Sequence, residues 1–225
     1  MNPTINPEIF TFLKELQKNN NREWFDTQKP RYQTLYDEFK HFHAGLMEKM
    51  KAHDQIEKGR VYRIYRDVRF SKDKTPYKGY LAFNFKRATH FLRGGYYFQL
   101  EPGNSFLAGG FFGPNAKDLL HIRNQISQYP DPMFDILNSD AFRNYFGELR
   151  GEQLKTAPKG FEKDDEAIEV LRYKQFYVEH AFSDEEVLSA GFMDQLNEGF
   201  QNLRPFFNYM SEILTTDLNG EELSL

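Results

Sequence analysis

Four short runs rich in aromatic and β-branched residues follow one another in the middle of the sequence. They span residues 61–65, 79–87, 94–101 and 105–112. Turn-forming residues separate them, most clearly Pro102, Gly103 and Asn104 between the last two runs. Strands joined by such short connections pair with their sequence neighbours in antiparallel fashion. The pattern therefore predicts an antiparallel meander sheet.

Helical patterns precede and follow these runs. Before them, residues 7–16 and 22–51 repeat apolar side chains every three or four positions, and Pro30 is predicted to kink or divide the second segment. Asn20 and Glu23 have capping-box spacing at the start of that segment. After them, helices are predicted from Pro114, within 134–146, up to Leu171 and over 184–214, and a further strand over 174–182.

The order of these elements indicates an α+β fold, an antiparallel meander sheet flanked by N-terminal and C-terminal helices. We expect one α+β domain over residues 1–218 and a frayed tail at 219–225.

Composition excludes several classes of protein. The chain has no cysteine, which excludes disulfides, thiolate metal sites and thiol nucleophiles. It has no apolar run of about 18 residues, and its first residues lack the pattern of a signal peptide. We therefore expect a cytoplasmic protein that does not enter the membrane.

Charge is distributed unevenly along the chain. The formal net charge is −4, which argues against a general nucleic-acid-binding protein. Residues 60–93, however, contain ten Lys and Arg against two Asp, a local net charge of about +8. The rest of the chain carries about −12. An acidic protein with one basic segment is suited to binding an anion locally.

The basic segment, residues 63–78, reads R-I-Y-R-D-V-R-F-S-K-D-K-T-P-Y-K. Val68 and its apolar neighbours favour extended backbone, in which Arg63 and Arg69 lie on one face and Arg66 on the other. All three arginines can meet one ligand only if the strand ends or bends near Arg66. Asp73 and Pro76 are typical of such a bend.

This segment resembles the hallmark of a bacterial and fungal family known as domain of unknown function 2461. The motif is R-x-x-R-D-x-R-F followed by D-K-x-x-Y, and the matching residues are Arg63, Arg66, Asp67, Arg69, Phe70, Asp73, Lys74 and Tyr77. The earlier N-N-x-R-E-W-F and the later A-P-K-G-F also resemble that family. The resemblance covers nearly the whole chain. It implies a full-length domain and a special role for this segment, but it implies no reaction.

We interpret the basic segment as a binding site for a phosphate- or carboxylate-bearing ligand, because arginine grips such anions through two parallel bonds. Its candidate residues are Arg63, Arg66, Asp67, Arg69, Lys72, Asp73, Lys74, Tyr77, Lys78 and, from a later loop, Lys159. The arginines would hold the anion and the lysines would add charge. The aspartates would orient the arginines or act on a ligand hydroxyl, and Tyr77 would orient the ligand.

Two other interpretations of the segment stay open. A phosphate-ester hydrolase or transferase would use the arginines to stabilise developing charge, with Asp67 or Asp73 as a base. A non-catalytic interaction scaffold would instead pair the arginines internally with aspartates. We expect the partner to be an anionic small molecule or a nucleotide, and a nucleic acid is an alternative that the net charge does not support. Nearby tyrosines can stack on a base, although tyrosine in strands is common without this role.

Other motifs are weak. The glycine-rich residues 107–114 lack both G-x-G-x-x-G and a P-loop ending, and glycines there also allow close packing. No pair of the six histidines has the spacing of a metal site, so we predict no metal. No motif identifies a cofactor.

Overall fold

The strands occur in the sheet in the order in which they occur along the chain. In the computed structural model, which describes residues 3–69, 72–89 and 91–223, they form one five-stranded antiparallel sheet. The strands are β1 (Ile56–Val61), β2 (Leu81–Arg87), β3 (Gly95–Leu100), β4 (Ser105–Phe111) and β5 (Phe176–Phe182). The predicted antiparallel meander is confirmed.

Helices stand at both ends of the chain and between the last two strands, which confirms the α+β class. Two precede the sheet, α1 (Pro7–Lys18) and α2 (Arg22–Lys51). Four separate β4 from β5: α3 (Ala116–Gln128), α4 (Asp131–Asn138), α5 (Asp140–Phe146) and α6 (Ile168–Leu171). The last three are α7 (Asp184–Leu188), α8 (Phe192–Asn202) and α9 (Arg204–Thr215).

One alternative predicted for Pro30, a division of the helix, is excluded, and the predicted cap of this helix is wrong, whereas a kink at Pro30 stays a prediction. Pro30 does not divide α2, which continues through it as one helix of 30 residues with buried side chains on either side of the proline. Asn20 does not cap this helix, because the side chain of Asn21 accepts the hydrogen bond from the Trp24 N–H. Packing of the apolar face therefore outweighs the local cost of a proline.

Two further boundaries differ from the prediction. The first strand spans residues 56–61 rather than 61–65. The residues of β1 are largely polar and show no apolar alternation, so its sequence does not predict a strand, which forms through pairing in the sheet. The long helix predicted over 184–214 is three helices. Ser189 adopts extended backbone after α7, and Pro205 lies in the first turn of α9, where a missing N–H costs nothing.

The chain divides into two units by its internal packing. The first comprises residues 1–85, 97–107 and 181–198, and the second comprises 86–96, 108–180 and 199–225. The single domain over 1–218 and the frayed tail stay predictions. Within that tail, Leu223 donates its N–H to the Thr215 carbonyl, and residues 224–225 lie outside the described ranges.

Phenylalanines form the core of the first unit. Phe39 of α2 packs against Phe83 of β2 with ring centres 5.5 Å apart, and Phe192 of α8 packs against Phe98 of β3 at 5.5 Å. Phe42 joins the two groups by lying parallel to Phe192 at 6.1 Å. One face of the strands in this unit is therefore buried beneath helices, while alternate residues face the other way.

In the second unit α9 packs on β3 and β4. Phe207 contacts Tyr96 at 4.9 Å and Phe111 at 6.0 Å. The guanidinium of Arg87, only 1% exposed, donates to Ser211 Oγ at 3.3 Å and to Asn208 Oδ1 at 3.1 Å. These bonds allow a long charged side chain to lie within the core.

His43 of α2 should make the stability of the protein fall in mild acid. Its ring is 8% exposed and lies parallel to Phe85 at 4.8 Å. Its Nε2 atom is buried and contacts no hydrogen-bond partner among the described residues. Burial lowers the pKa of His43, although a hydrogen bond with the backbone of Asn84 opposes the shift. The unfolded state therefore gains a proton at a higher pH than the folded state does.

The direction in which stability changes with pH follows from that order of protonation. The stability that the neutral ring provides is complete above about pH 6.5, the ordinary histidine pKa, and it is lost as pH falls towards the lowered folded pKa. The slope from this one group is at most about 1.4 kcal/mol per pH unit. Urea denaturation between pH 5 and 8 measures it. The slope should be shallower in His43→Leu, and equal slopes in the two proteins would contradict the assignment.

Candidate functional site

After β1 the chain forms a short hairpin, residues 64–78, which contains most of the basic segment. Arg66 donates its N–H to the Pro76 carbonyl at 2.9 Å, and Lys78 donates its N–H to the Ile64 carbonyl at 2.8 Å. These bonds place Tyr65 opposite Tyr77. The pairing ends after Arg66, at the point where the sequence predicts a bend. Phe70 and Ser71 lie outside the described residues.

The hairpin is attached to the start of α2 by Tyr77. Its ring is 4% exposed and lies parallel to that of Phe25, with ring centres 3.9 Å apart. The side-chain amide of Asn20 donates to the Tyr77 carbonyl at 2.9 Å and accepts from the Tyr77 N–H at 3.1 Å. The Tyr77 ring is therefore part of the core. Its predicted role in orienting a ligand stays a prediction.

Arg69 and Asp67 form an exposed pair within the loop. Arg69 Nε donates to Asp67 Oδ1 at 2.9 Å, and Nη2 donates to Oδ2 at 2.6 Å. The bonds from the Arg69 side chain, then from its backbone N–H, lower the pKa of Asp67 to about 2. Asp67 is therefore ionised at neutral pH and is a weak base.

Arg66 and Asp73 connect the two arms of the hairpin. Arg66 Nη2 lies 3.1 Å from Asp73 Oδ2, and the Arg66 side chain is 26% exposed. Asp73 also accepts from the Thr75 N–H at 2.9 Å and the Thr75 hydroxyl at 2.8 Å. These bonds from Thr75, followed by the charge of Arg66, lower the pKa of Asp73. The Nε atom of Arg66 is buried and has no hydrogen-bond partner among the described residues.

Four basic side chains interact electrostatically, because the charges of three arginines act on Lys78, and we term the four the cation cluster. They are Arg60 at the end of β1, Arg63, Arg66 and Lys78. Burial, and then the charges of Arg66, Arg63 and Arg60, lower the pKa of the Lys78 ammonium. Within the described ranges, Arg66 alone of the four lies within 4.0 Å of a carboxylate. The cluster thus keeps an excess of positive charge.

Tyrosines lie beside the cation cluster. Lys78 Nζ is 5.5 Å from the ring centre of Tyr62 and 5.9 Å from that of Tyr80, and the Arg60 guanidinium is 5.5 Å from Tyr62. Tyr97 of β3 contacts Tyr62 at 6.3 Å. Burial, and then the neighbouring Tyr80 and Tyr62, raise the pKa of Tyr97. The electron-rich faces of these rings attract the neighbouring cations and cover part of their side chains with apolar surface.

The structure brings together only some of the residues that the sequence predicts for the site. Arg63, Arg66 and Lys78 share the cluster, whereas Asp67 and Arg69 pair with each other in the loop. Asp73 lies beside Arg66 and Thr75, and Lys72 is exposed. Lys74 Nζ donates to the Val68 carbonyl at 2.8 Å. Lys159 lies in an exposed turn of the second unit. Ligand binding by any of them stays a prediction.

Arg60 and Tyr97 are members of the site that the sequence does not single out. Arg60 and Tyr62 are two positions apart along extended chain, so they lie on the same face, and this spacing is the signal that finds Arg60. Tyr97 joins them only through the pairing of the strands, which a local pattern does not contain.

Two features are absent from the described part of the chain. Over residues 3–69, 72–89 and 91–223, no three His, Asp or Glu side chains gather as metal ligands would. No helix in these ranges has the length and apolar character needed to span a bilayer. His90, one of the six histidines, lies outside the described residues.

The fold and the cluster together define an α+β protein with a basic, tyrosine-lined surface. The chain belongs to the family described as "Conserved hypothetical protein (DUF2461)", whose model matches residues 8–209. No curated protein and no solved structure matches the chain.

Proposed function

We propose that the protein binds a phosphate- or carboxylate-bearing ligand at the cation cluster. The observation that supports this most directly is the lack of a carboxylate within 4.0 Å of Arg60, Arg63 or Lys78 among the described residues, although Arg66 lies beside them. Like charges held close together repel, and an anionic ligand would remove that repulsion. Binding would therefore stabilise the folded protein.

The side chains of the cluster suit anion binding in different ways. Arg60 and Arg63 are exposed and present planar donor groups to solvent, whereas Lys78 is half-buried. Arg66 is held in place by Asp73, and its buried Nε–H has no hydrogen-bond partner among the described residues. Hydrogen bonds between such cations and an anion are short and strong, and a partly buried position strengthens them.

An internal salt network explains only part of the segment. It accounts for Arg69 with Asp67 and for Arg66 with Asp73. It leaves Arg60, Arg63 and Lys78 without carboxylates in the described part of the molecule. Because the cluster carries more charge than the network neutralises, ligand binding is the better explanation.

A hydrolase or transferase with an aspartate base is less well supported. The pKa of Asp67 is lowered to about 2, and the pKa of Asp73 is also lowered. A general base works best when its pKa lies near the working pH. Both aspartates are better suited to holding the arginines than to accepting a proton.

The composition supports the remaining parts of the proposal. A chain without cysteine fits the cytoplasm, where disulfides are rare. The net charge of −4 favours a small anion or a nucleotide over a long nucleic acid, which would meet an acidic protein outside the cluster.

Arg63→Gln should weaken binding by about 10- to 100-fold, because a hydrogen bond to a charged group contributes roughly 1.5–3 kcal/mol. A thermal-shift screen with inorganic phosphate, nucleotides, sugar phosphates, short oligonucleotides and citrate identifies the anion. Titration calorimetry then gives Kd for the wild type, for Arg63→Gln and for Lys117→Gln. Lys117→Gln is the matched control, since it also removes one positive charge. Lys117 is exposed and lies in the second unit.

The stability of Arg63→Gln without ligand also distinguishes ligand binding from a salt network. Without ligand, Arg63→Gln should be as stable as the wild type or slightly more stable, because it relieves repulsion in the cluster. A salt network that included Arg63 would instead lose stability in this variant. If no class of anion raises Tm, or if Arg63→Gln and Lys117→Gln bind alike, the proposal is wrong.

A further inference from the structure

We propose that Lys78 is a nucleophilic amine that forms an imine with an aldehyde or ketone that also carries a phosphate group. This inference rests on the proposed function, because the arginines of the cation cluster would hold the phosphate. It adds a covalent step and a class of substrate.

The position of Lys78 distinguishes it from the other lysines of the hairpin. Its Nζ atom lies near two tyrosine rings, Tyr62 at 5.5 Å and Tyr80 at 5.9 Å, and its side chain is half-buried. Lys72 is exposed, and the ammonium group of Lys74 donates a hydrogen bond to the Val68 carbonyl. Among the described residues, Lys78 has no carboxylate within 4.0 Å to hold it as an ammonium ion.

The groups around Lys78 act in opposite directions. Arg60 belongs to β1, Arg63 directly precedes the hairpin, and Arg66 lies within it, where Asp73 neutralises part of the charge of Arg66. The two tyrosine rings favour the charged ammonium. Burial, and then the charges of Arg66, Arg63 and Arg60, lower the pKa of Lys78. A lysine among cations in a partly apolar site is a recognised way to obtain a free amine that attacks carbonyl carbon.

The chemistry of the neighbours selects the substrate. An amine with a lowered pKa reacts with an aldehyde or ketone, and neighbouring guanidinium groups bind phosphate. The Lys78 nitrogen adds to the carbonyl carbon through its lone pair. The carbonyl oxygen then leaves as water with the two hydrogens of the amine, and a carbon–nitrogen double bond remains. The step needs no oxidant or reductant, and the bound phosphate favours the protonated imine.

Pyridoxal 5′-phosphate is a suitable probe, because it carries an aldehyde and a phosphate and its imine absorbs visible light. The wild-type protein is mixed with it, reduced with borohydride and digested, and the labelled lysines are identified by mass spectrometry. We expect label at Lys78 to exceed label at Lys72 and Lys74 by about tenfold or more, the effect of one good contact to phosphate. Pyridoxal, which lacks the phosphate, should lose this preference.

Two variants separate the covalent step from anion binding. Lys78→Arg should abolish the selective label, because a guanidinium forms no imine with a carbonyl, and binding of inorganic phosphate is measured separately on the wild-type protein. Arg63→Gln should keep the amine and lose most of the preference for the phosphorylated probe. If phosphate binds but label is spread evenly over the lysines, the imine is disproved and the proposed function survives. If no anion binds, the proposed function itself fails.

Discussion

Gly110→Ala is expected to destabilise the protein by about 3 kcal/mol or more. Gly110 in β4 has φ of +151°, a backbone conformation that residues with a Cβ rarely adopt. An alanine methyl group would also overlap the carbonyl oxygen of Phe176 and the Cα atom of Tyr177 in β5. Backbone atoms of a paired strand move only if the pairing is disturbed, so strain and steric overlap add together.

Denaturation in urea measures the loss of free energy of unfolding, which corresponds to a fall in Tm of roughly 6–12 °C for a chain of this length. Gly113→Ala is the matched control, because an alanine methyl there would meet no atom within 4 Å. Its stability should lie within about 0.5 kcal/mol of the wild type. Equal stability of the two variants would show that β4 and β5 do not approach as described.

Phe25→Ala is expected to cost about 3–5 kcal/mol and to weaken anion binding as well. Phe25 is fully buried and contacts four rings: Phe12 at 6.5 Å, Tyr32 at 5.2 Å, Tyr65 at 5.8 Å and Tyr77 at 3.9 Å. Its removal leaves a cavity beneath the hairpin, which carries Arg66 and follows directly after Arg63. The arginines would then be less well positioned to meet one anion.

Two further variants test whether the effect comes from the cavity. Phe25→Leu fills part of the space and should lose less stability than Phe25→Ala. Tyr65→Ala removes a ring that is 42% exposed and should cost less still. Urea denaturation gives the stabilities, and calorimetry with the best anion gives Kd. A variant of Phe25 that is destabilised but binds with wild-type affinity would show that the cluster does not depend on this packing.

The sequence predicts most of the fold because most elements obey local rules. The strands β2, β3 and β4 and the paired short helices α4 and α5 lie where periodicity and turn residues place them. The failures have physical causes. β1 consists largely of polar residues, and Ser189 and Pro205 interrupt a continuous helical pattern whose apolar periodicity alone shows no break.

The site is less predictable, because it depends on how separate segments meet. Charge density identifies Arg63, Arg66 and Lys78, and turn residues indicate the bend after Arg66. Which cations find an aspartate is a matter of rotamers and loop shape: Arg69 is satisfied by Asp67, whereas Arg63 is not. The contribution of Tyr97 requires the register of the sheet.

The amide side chain of Asn20 has a consequence for how the protein behaves at high concentration. The N–H and C=O of Tyr77 point away from Tyr65, because the hairpin bonds are made by Arg66 and Lys78 on either side. The side-chain amide of Asn20 forms hydrogen bonds with both groups, as a backbone peptide of a paired strand would. Unpaired strand edges recruit other chains and lead to aggregation. Asn20 therefore occupies the two backbone groups at the outer edge of the hairpin with which a strand of a neighbouring molecule would otherwise pair.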